Sequence, residues 1–261
     1  MQIFYPYSLQ LHPNEFPGVD PNDCNSYKRR IKNAQKLSHC AKRDASITEH
    51  KQHWWWKANF VFEHVRLIRK HTGPFIFLEE NNYVAPDLLI MFHCALETFN
   101  YFSHIEVLSF GGPLNVINMN LLSVEPWRPP FDLGLAFNKT TWRKIFSYSS
   151  HYCMFDDSSW SYSMWNLFGN FPKGYVTMAR FMTPRVLNTK EIVHSEQKFK
   201  EYVGGFNTLN VFCKKLKAVF LFGPEGVVER AHKCPPKGDG AWNDLRDQLL
   251  CLDPLMSTTT E

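Results

Sequence analysis

The chain has 261 residues, of which 44% are apolar, 15% aromatic and 21% charged, and it carries a net charge of +4. That is enough apolar material to bury a sizeable core, which excludes a disordered chain, and the mild basic excess does not by itself point to nucleic acid. The densest basic stretch (Lys28, Arg29, Arg30, Lys32, Lys36, Lys42 and Arg43) has only Tyr27 beside it. It lacks the interleaved stacking residues of single-strand binders and reads as a solvated loop or helix face.

No run of about 18 apolar residues is present, so no membrane span is expected. The opening residues, Met1 to Tyr7, lack a basic region and an apolar core, so they are not read as a signal peptide or anchor. Residues 12–26 are rich in turn formers, and residues 28–53 read as polar and basic. An amphipathic helix follows, with Trp54, Ala58, Val61, Val65 and Ile68 on one face and Gly73-Pro74 as its stop.

Phe75-Ile76-Phe77-Leu78 is a short unbroken apolar run, expected as a strand buried on both faces. It ends abruptly in Glu79-Glu80-Asn81-Asn82. Pro86-Asp87 opens a second helix, with Leu88, Phe92, Ala95, Phe99 and Phe102 on one face. Val107-Leu108-Ser109 is the next strand candidate. This alternation predicts an α/β layer with a largely parallel sheet. Ligands bind beyond the carboxyl ends of such strands, which makes the acidic exit at Glu79 and Glu80 a candidate site.

Later expectations are a strand at 133–137, a short helix at 141–148, a helix start at Asp156-Asp157-Ser158-Ser159, and strands at 175–182 and 218–222. One domain over residues 1–253 and a frayed polar tail over 254–261 are expected. The 8 Trp and 22 Phe are mainly core material.

The 7 cysteines form no Cys-x-x-Cys pair, which excludes zinc ribbons and thioredoxin motifs, and the odd count leaves at least one free thiol. Scattered cysteines fit a lumenal protein with a few structural bridges. The sequon Asn138-Lys139-Thr140 is compatible with that setting. A zinc module built from His39, Cys40, His50 and His53 has the spacing of no standard finger.

Several peptides carry a family resemblance. They are Phe4-Tyr5-Pro6, Pro13-Asn14-Glu15-Phe16-Pro17-Gly18, His53-Trp54-Trp55-Trp56-Lys57, and Phe77-Leu78-Glu79-Glu80 with Tyr83 and Ala85-Pro86-Asp87. Further on are Gly134-Leu135-Ala136, Asp156-Asp157 with Trp160, Pro184-Arg185, and Trp242 with Asp244-Leu245-Arg246-Asp247. In this order, along nearly the whole chain, they resemble the N-acetylglucosaminyltransferase II family, the alpha-1,6-mannosyl-glycoprotein 2-beta-N-acetylglucosaminyltransferases.

The resemblance implies a GT-A glycosyltransferase fold: a mixed sheet with flanking helices. The family's nucleotide-binding first strand lies upstream of the Phe4-Tyr5-Pro6 motif, so this chain is expected to lack it and to fold poorly when isolated. The implied reaction is direct displacement at the anomeric carbon of UDP-GlcNAc by a mannose hydroxyl of an N-glycan. It uses a divalent cation (manganese) and a carboxylate base. The implied location is the Golgi. Lys51, His53, Glu79 and Glu80 match donor-site positions. Cys24 with Cys40, and Cys153 with Cys251, match two family bridges. Tyr148 and Phe171 stand where the family has another, and Cys94, Cys213 and Cys234 have no partner assigned.

The departures fall on the chemistry. The family's metal-binding positions are Asn81 and Asn188 here, and an amide brings no charge to a hard cation. The base position is Ser161, which cannot act as a base near neutral pH unaided. An acceptor-binding arginine is replaced by Ile117. Asp157 lies one helical turn from Ser161, so a helix through both would put it on the same face as a substitute base. Glu80, Asp87 and His194 are the candidate replacement ligands. The alternative reading is an inactive paralogue that binds glycan or a partner transferase.

Overall fold

The computed structural model describes residues 3–36, 38–40, 42–114, 119–206, 217–220 and 233–254. In chain order the regular elements are α1 (Ala45–Asn59), β1 (Phe75–Ile76), β2 (Asn82–Val84), α2 (Leu88–Tyr101), β3 (Val107–Ser109), β4 (Leu121–Pro126), β5 (Leu135–Phe137), α3 (Lys139–Phe146), α4 (Ser149–Cys153), α5 (Trp160–Gly169), β6 (Thr177–Phe181), β7 (Val186–Asn188), α6 (Thr189–His194), α7 (Glu196–Phe206), β8 (Lys217–Phe220) and α8 (Leu245–Leu252). They fall into two compact units. One comprises residues 1–71, 146–167 and 234–261, and the other residues 72–145 and 168–233.

The first unit is helical. Asp44 caps α1 by accepting from Ser46 N, so the helix begins well before the expected amphipathic stretch. Its three consecutive tryptophans point in three directions, and all are buried. Trp54 stacks on Trp160 at 4.2 Å and Trp55 on Tyr152 at 4.2 Å, while Trp56 meets Tyr5 edge-on at 5.4 Å. α1 ends at Asn59, passes through a π turn at Phe60–His64, and extends at Val65. The expected helix to Gly73 therefore stops short. Val65 N bonds back to Phe60 O, and its ψ of 101° leaves the helical region.

Most of the 28–43 basic stretch is exposed, as expected, but Arg43 is not. Its guanidinium is buried between Asp247 (Nε to Oδ2, 2.6 Å; Nη2 to Oδ1, 3.0 Å) and the Gly18 carbonyl (2.7 Å). Gln52 Nε2 donates to Asp247 O at 2.7 Å.

The second unit holds a six-stranded sheet in the order β1-β5-β3-β6-β4-β8, and a separate two-stranded ribbon of β2 and β7. The fold class is α/β, but the sheet is not largely parallel. Among the described residues, β3–β6 and β4–β8 run parallel, and the other ladders of this sheet are antiparallel. β1 is half-buried and pairs only with β5, at the rim of the described sheet. It is therefore not the doubly buried strand its apolar run implied.

The stripe on α2 is placed as expected. Leu88, Met91 and Ala95 join Leu108, Phe110, Val124 and Phe181 in one buried cluster, with Phe92, Phe99 and Phe102 packed on it. Full burial of each such large side chain contributes about 1.5–3 kcal/mol. Gly134 links the loop to β5 at φ +58° with Val186 closer than a Cβ allows, so the left-handed turn and the packing both require glycine. The expected strand at 218–222 corresponds to β8, and its last two residues lie outside the described set, as do Ile117, Cys213 and most of the tail.

Candidate functional site

In the second unit the chain leaves the sheet after Phe77, whose N–H reaches Leu135 O at 2.9 Å. Glu79 to Asn82 then form a tight turn. Asn82 N donates to Glu79 O at 3.1 Å, and Glu79 N donates to Asn82 Oδ1 at 3.0 Å. Glu79 is half-buried and Glu80 exposed.

β2 pairs antiparallel with β7 in the register Asn82↔Asn188, Tyr83↔Leu187 and Val84↔Val186. Thr189 N donates to Asn81 O at 3.0 Å. Residues 81 and 188, more than a hundred positions apart in sequence, thus meet at one end of the ribbon.

Both side-chain amides there have local bonds. Asn81 Oδ1 accepts from Asn82 Nδ2 at 3.1 Å, and Asn188 Oδ1 caps α6 by accepting from Lys190 N at 2.9 Å. Two neutral, hydrogen-bonded amides are a poor donor set for a divalent cation, which favours charged oxygens or imidazole. Among the described residues no group of three or more His, Cys, Asp or Glu side chains is placed to hold a metal. Asp87 is not available as a replacement ligand, because both its oxygens face Arg185 Nε at 3.2 and 3.1 Å. His194 is exposed in the last turn of α6. The residues present therefore do not fit manganese at this place.

Arg185 is the residue whose importance the sequence did not disclose. It is fully buried and holds the ribbon from behind, donating to Asp87, Thr183 O (2.5 Å) and Met119 O (2.7 Å). Its own carbonyl accepts from Ala85 N at 2.8 Å, which ties β2 to β7. Burial leaves the Asp87 carboxyl pKa above its ordinary value, and the Arg185 charge offsets only part of that rise. The usable signal was the co-occurrence of Asp87 and a Pro-Arg dipeptide, since a buried arginine demands a carboxylate.

The first unit holds Lys51, His53, Asp157 and Ser161. Lys51 is fully buried. Its Nζ donates to Phe155 O at 2.9 Å and Asp157 O at 3.0 Å, and stands 4.1 Å from the Trp242 ring centre. Burial holds its pKa well below the ordinary lysine value, against the pull of Asp157, Asp239, Asp156 and Asp247. Its visible role is to fix the 155–157 backbone. His53 stacks on Tyr5 at 4.6 Å.

Asp157 and Ser161 do not share a helix face. α5 begins at Trp160, and Ser159 occupies its cap, with its carbonyl accepting from Ser163 N at 3.1 Å. Asp157 lies in the turn before it, and Oδ1 accepts from Ser159 N at 2.8 Å. Burial raises the Asp157 carboxyl pKa, which makes it a stronger base than an ordinary aspartate. Ser161 is buried, with Oγ 3.1 Å from Ser159 Oγ.

A loop from Gly238 to Trp242 locks this turn. Asp239 Oδ1 accepts from Ser158 N at 3.0 Å, Trp242 N donates to Asp156 Oδ1 at 3.0 Å, and Trp242 Nε1 donates to Cys153 O at 2.7 Å. A Cβ on Gly238 would stand 1.9 Å from Asp156 O, so only glycine fits.

The two bridges expected from the resemblance are formed: Cys24–Cys40 and Cys153–Cys251, with Cα separations of 4.9 and 5.6 Å. Cys40 is thereby unavailable to zinc. Cys94 is also disulfide-bonded. Cys234 is the free thiol among the described residues, pushed by burial up to about 11.

A family model described as "N-acetylglucosaminyltransferase II (MGAT2)" matches residues 1–251. The chain belongs to this family. It is 29% identical to the alpha-1,6-mannosyl-glycoprotein 2-beta-N-acetylglucosaminyltransferase of Sus scrofa over 96% of this chain and 60% of that protein. Identity to the Homo sapiens protein of the same name is 28%, over 96% and 60%, and to that of Arabidopsis thaliana 26%, over 97% and 61%. The chain thus spans about three-fifths of the length of these curated relatives. Within the family match lie both segments just described, the β2–β7 ribbon and the Asp157 turn.

Proposed function

We propose that this protein works in N-glycan processing as an N-acetylglucosaminyltransferase II-type enzyme of GT-A fold. It moves GlcNAc from UDP-GlcNAc in β-1,2 linkage onto the α-1,6 mannose arm, in the Golgi. The observation that carries the reading is the family match over residues 1–251. The mixed sheet with flanking helices and the two bridges at family positions support it.

In this reading Glu79 and Glu80, at the exit of β1, are donor-site residues, and His53 is a third. Asp157 takes the proton from the attacking mannose hydroxyl. Its burial raises its basicity, and two backbone carbonyls fixed by Lys51 hold its turn in place. Ser161 takes no proton. No step is assigned to a cation, because the Asn81 and Asn188 amides do not suit one.

Those same amides favour a second reading, in which the protein binds glycan or a partner transferase without transfer. One experiment separates the two. The full-length gene product is assayed for UDP-GlcNAc turnover on a mannose-terminated N-glycan, beside the Asp157→Asn variant. Turnover that disappears with Asp157→Asn supports the enzyme. Absence of turnover in the parent, recovered by Asn81→Asp, Asn188→His and Ser161→Asp together, supports the second reading.

A further inference from the structure

Asn138-Lys139-Thr140 has the Asn-x-Ser/Thr acceptor pattern with a residue other than proline in the middle. Its placement is specific. Asn138 follows the wholly buried strand β5 and precedes α3. Its carbonyl accepts from Trp142 N at 2.9 Å, and its Oδ1 accepts from Thr141 N at 2.9 Å, so it is the N-cap of α3.

This bond fixes the amide, with the oxygen turned into the helix and the nitrogen turned away. Nδ2 has no hydrogen-bond partner among the described residues and is not a buried atom. Thr140 is exposed, as is Arg143 one turn on, while Thr141, Trp142 and Ile145 form the buried face of α3.

We propose that Asn138 is an N-glycosylation acceptor, taking an oligosaccharide from a lipid-diphosphate-linked donor. The new bond joins Nδ2 to the anomeric carbon of the sugar. The carbon–oxygen bond to the diphosphate breaks, and the lipid diphosphate leaves with the electron pair. One Nδ2 proton passes to a base of the transferring enzyme. The secondary amide formed keeps Oδ1 as an acceptor, so the cap of α3 survives the modification, and the glycan projects beside exposed Thr140 and away from the core. The inference rests on the secretory-pathway part of the proposed function, which the disulfides support, and not on transfer activity.

The test expresses the full-length gene product in cultured eukaryotic cells beside N138Q and T140A. T140A removes the sequon hydroxyl without touching the cap. Each product is blotted before and after peptide N-glycosidase treatment, and the Cys153–Cys251 bridge is read by mass spectrometry. The expected result is a glycosidase-sensitive mobility shift in the parent, reduced by one glycan in both variants. An oxidised bridge with no difference between parent and T140A overturns the inference alone. Reduced Cys153 and Cys251 in a chain without the glycan overturn the secretory reading along with it.

Discussion

Replacing Asp87 by Asn tests whether the β2–β7 ribbon is held by one buried charge pair. Arg185 has a fully buried side chain, and Asp87 supplies both oxygens opposite its Nε. The substitution keeps the shape and removes the charge. It leaves a buried guanidinium facing the Thr183 and Met119 carbonyls and a neutral amide. Breaking such a pair from one side costs about 3–5 kcal/mol. Against a total of about 5–15 kcal/mol that is a large share of folding stability. For a chain of this size each kcal/mol is about 2–4 °C, so Tm should drop by roughly 10 °C. Circular dichroism melts and urea titrations would read both. The double variant Asp87→Asn, Arg185→Met removes the orphaned charge and should recover part of the loss. A single variant within about 0.5 kcal/mol of the parent, the range of ordinary surface substitutions, would refute the reasoning.

Three further outcomes are expected. Replacing Cys153 and Cys251 together by Ala releases a loop spanning 98 residues. Chain entropy then predicts a loss of about 4–5 kcal/mol in urea unfolding under oxidising conditions, and little difference from the parent under full reduction. Asp44→Ala removes the α1 cap and should cost about 1 kcal/mol. The Asp244 carboxyl is held below its ordinary value of 3.8, first by its hydrogen bond to Arg246. A depressed folded pKa gives stability that is full above the unfolded value and is lost as pH falls through the folded one. Asp244→Asn should therefore flatten the acid limb of the stability–pH curve below about pH 4 and leave its neutral plateau with the parent's slope.

Where apolar spacing alone sets burial, the sequence was a good guide. The α2 stripe and β3 fall where their patterns place them. The first half of α1 escapes the apolar pattern because part of its buried face is polar. Thr48, Lys51, Gln52 and Asn59 are all inside and bond main-chain carbonyls, so residues 45–53 look solvated in a hydropathy pattern. Arg43 reads as part of a solvated basic run for a different reason: Asp247, its partner, is distant in sequence and only the fold brings it near. The Glu79-Glu80-Asn81 exit was legible as a candidate site. That Asn81 meets Asn188 was not, because antiparallel register between distant segments leaves no local trace. The Asp157–Ser161 face failed on a cap: Ser159 starts α5 too late for Asp157 to lie on it.

In the proposed function, GlcNAc is transferred with Asp157 as base and without a cation held by Asn81 and Asn188. Its most direct test is the turnover of UDP-GlcNAc on a mannose-terminated N-glycan by the full-length gene product, with manganese and with excess chelator, beside Asp157→Asn. Turnover is expected to survive chelation and to fall by at least about 100-fold, the low end for loss of a general base, in Asp157→Asn. Turnover that vanishes with chelator, or that Asp157→Asn leaves intact, would contradict it.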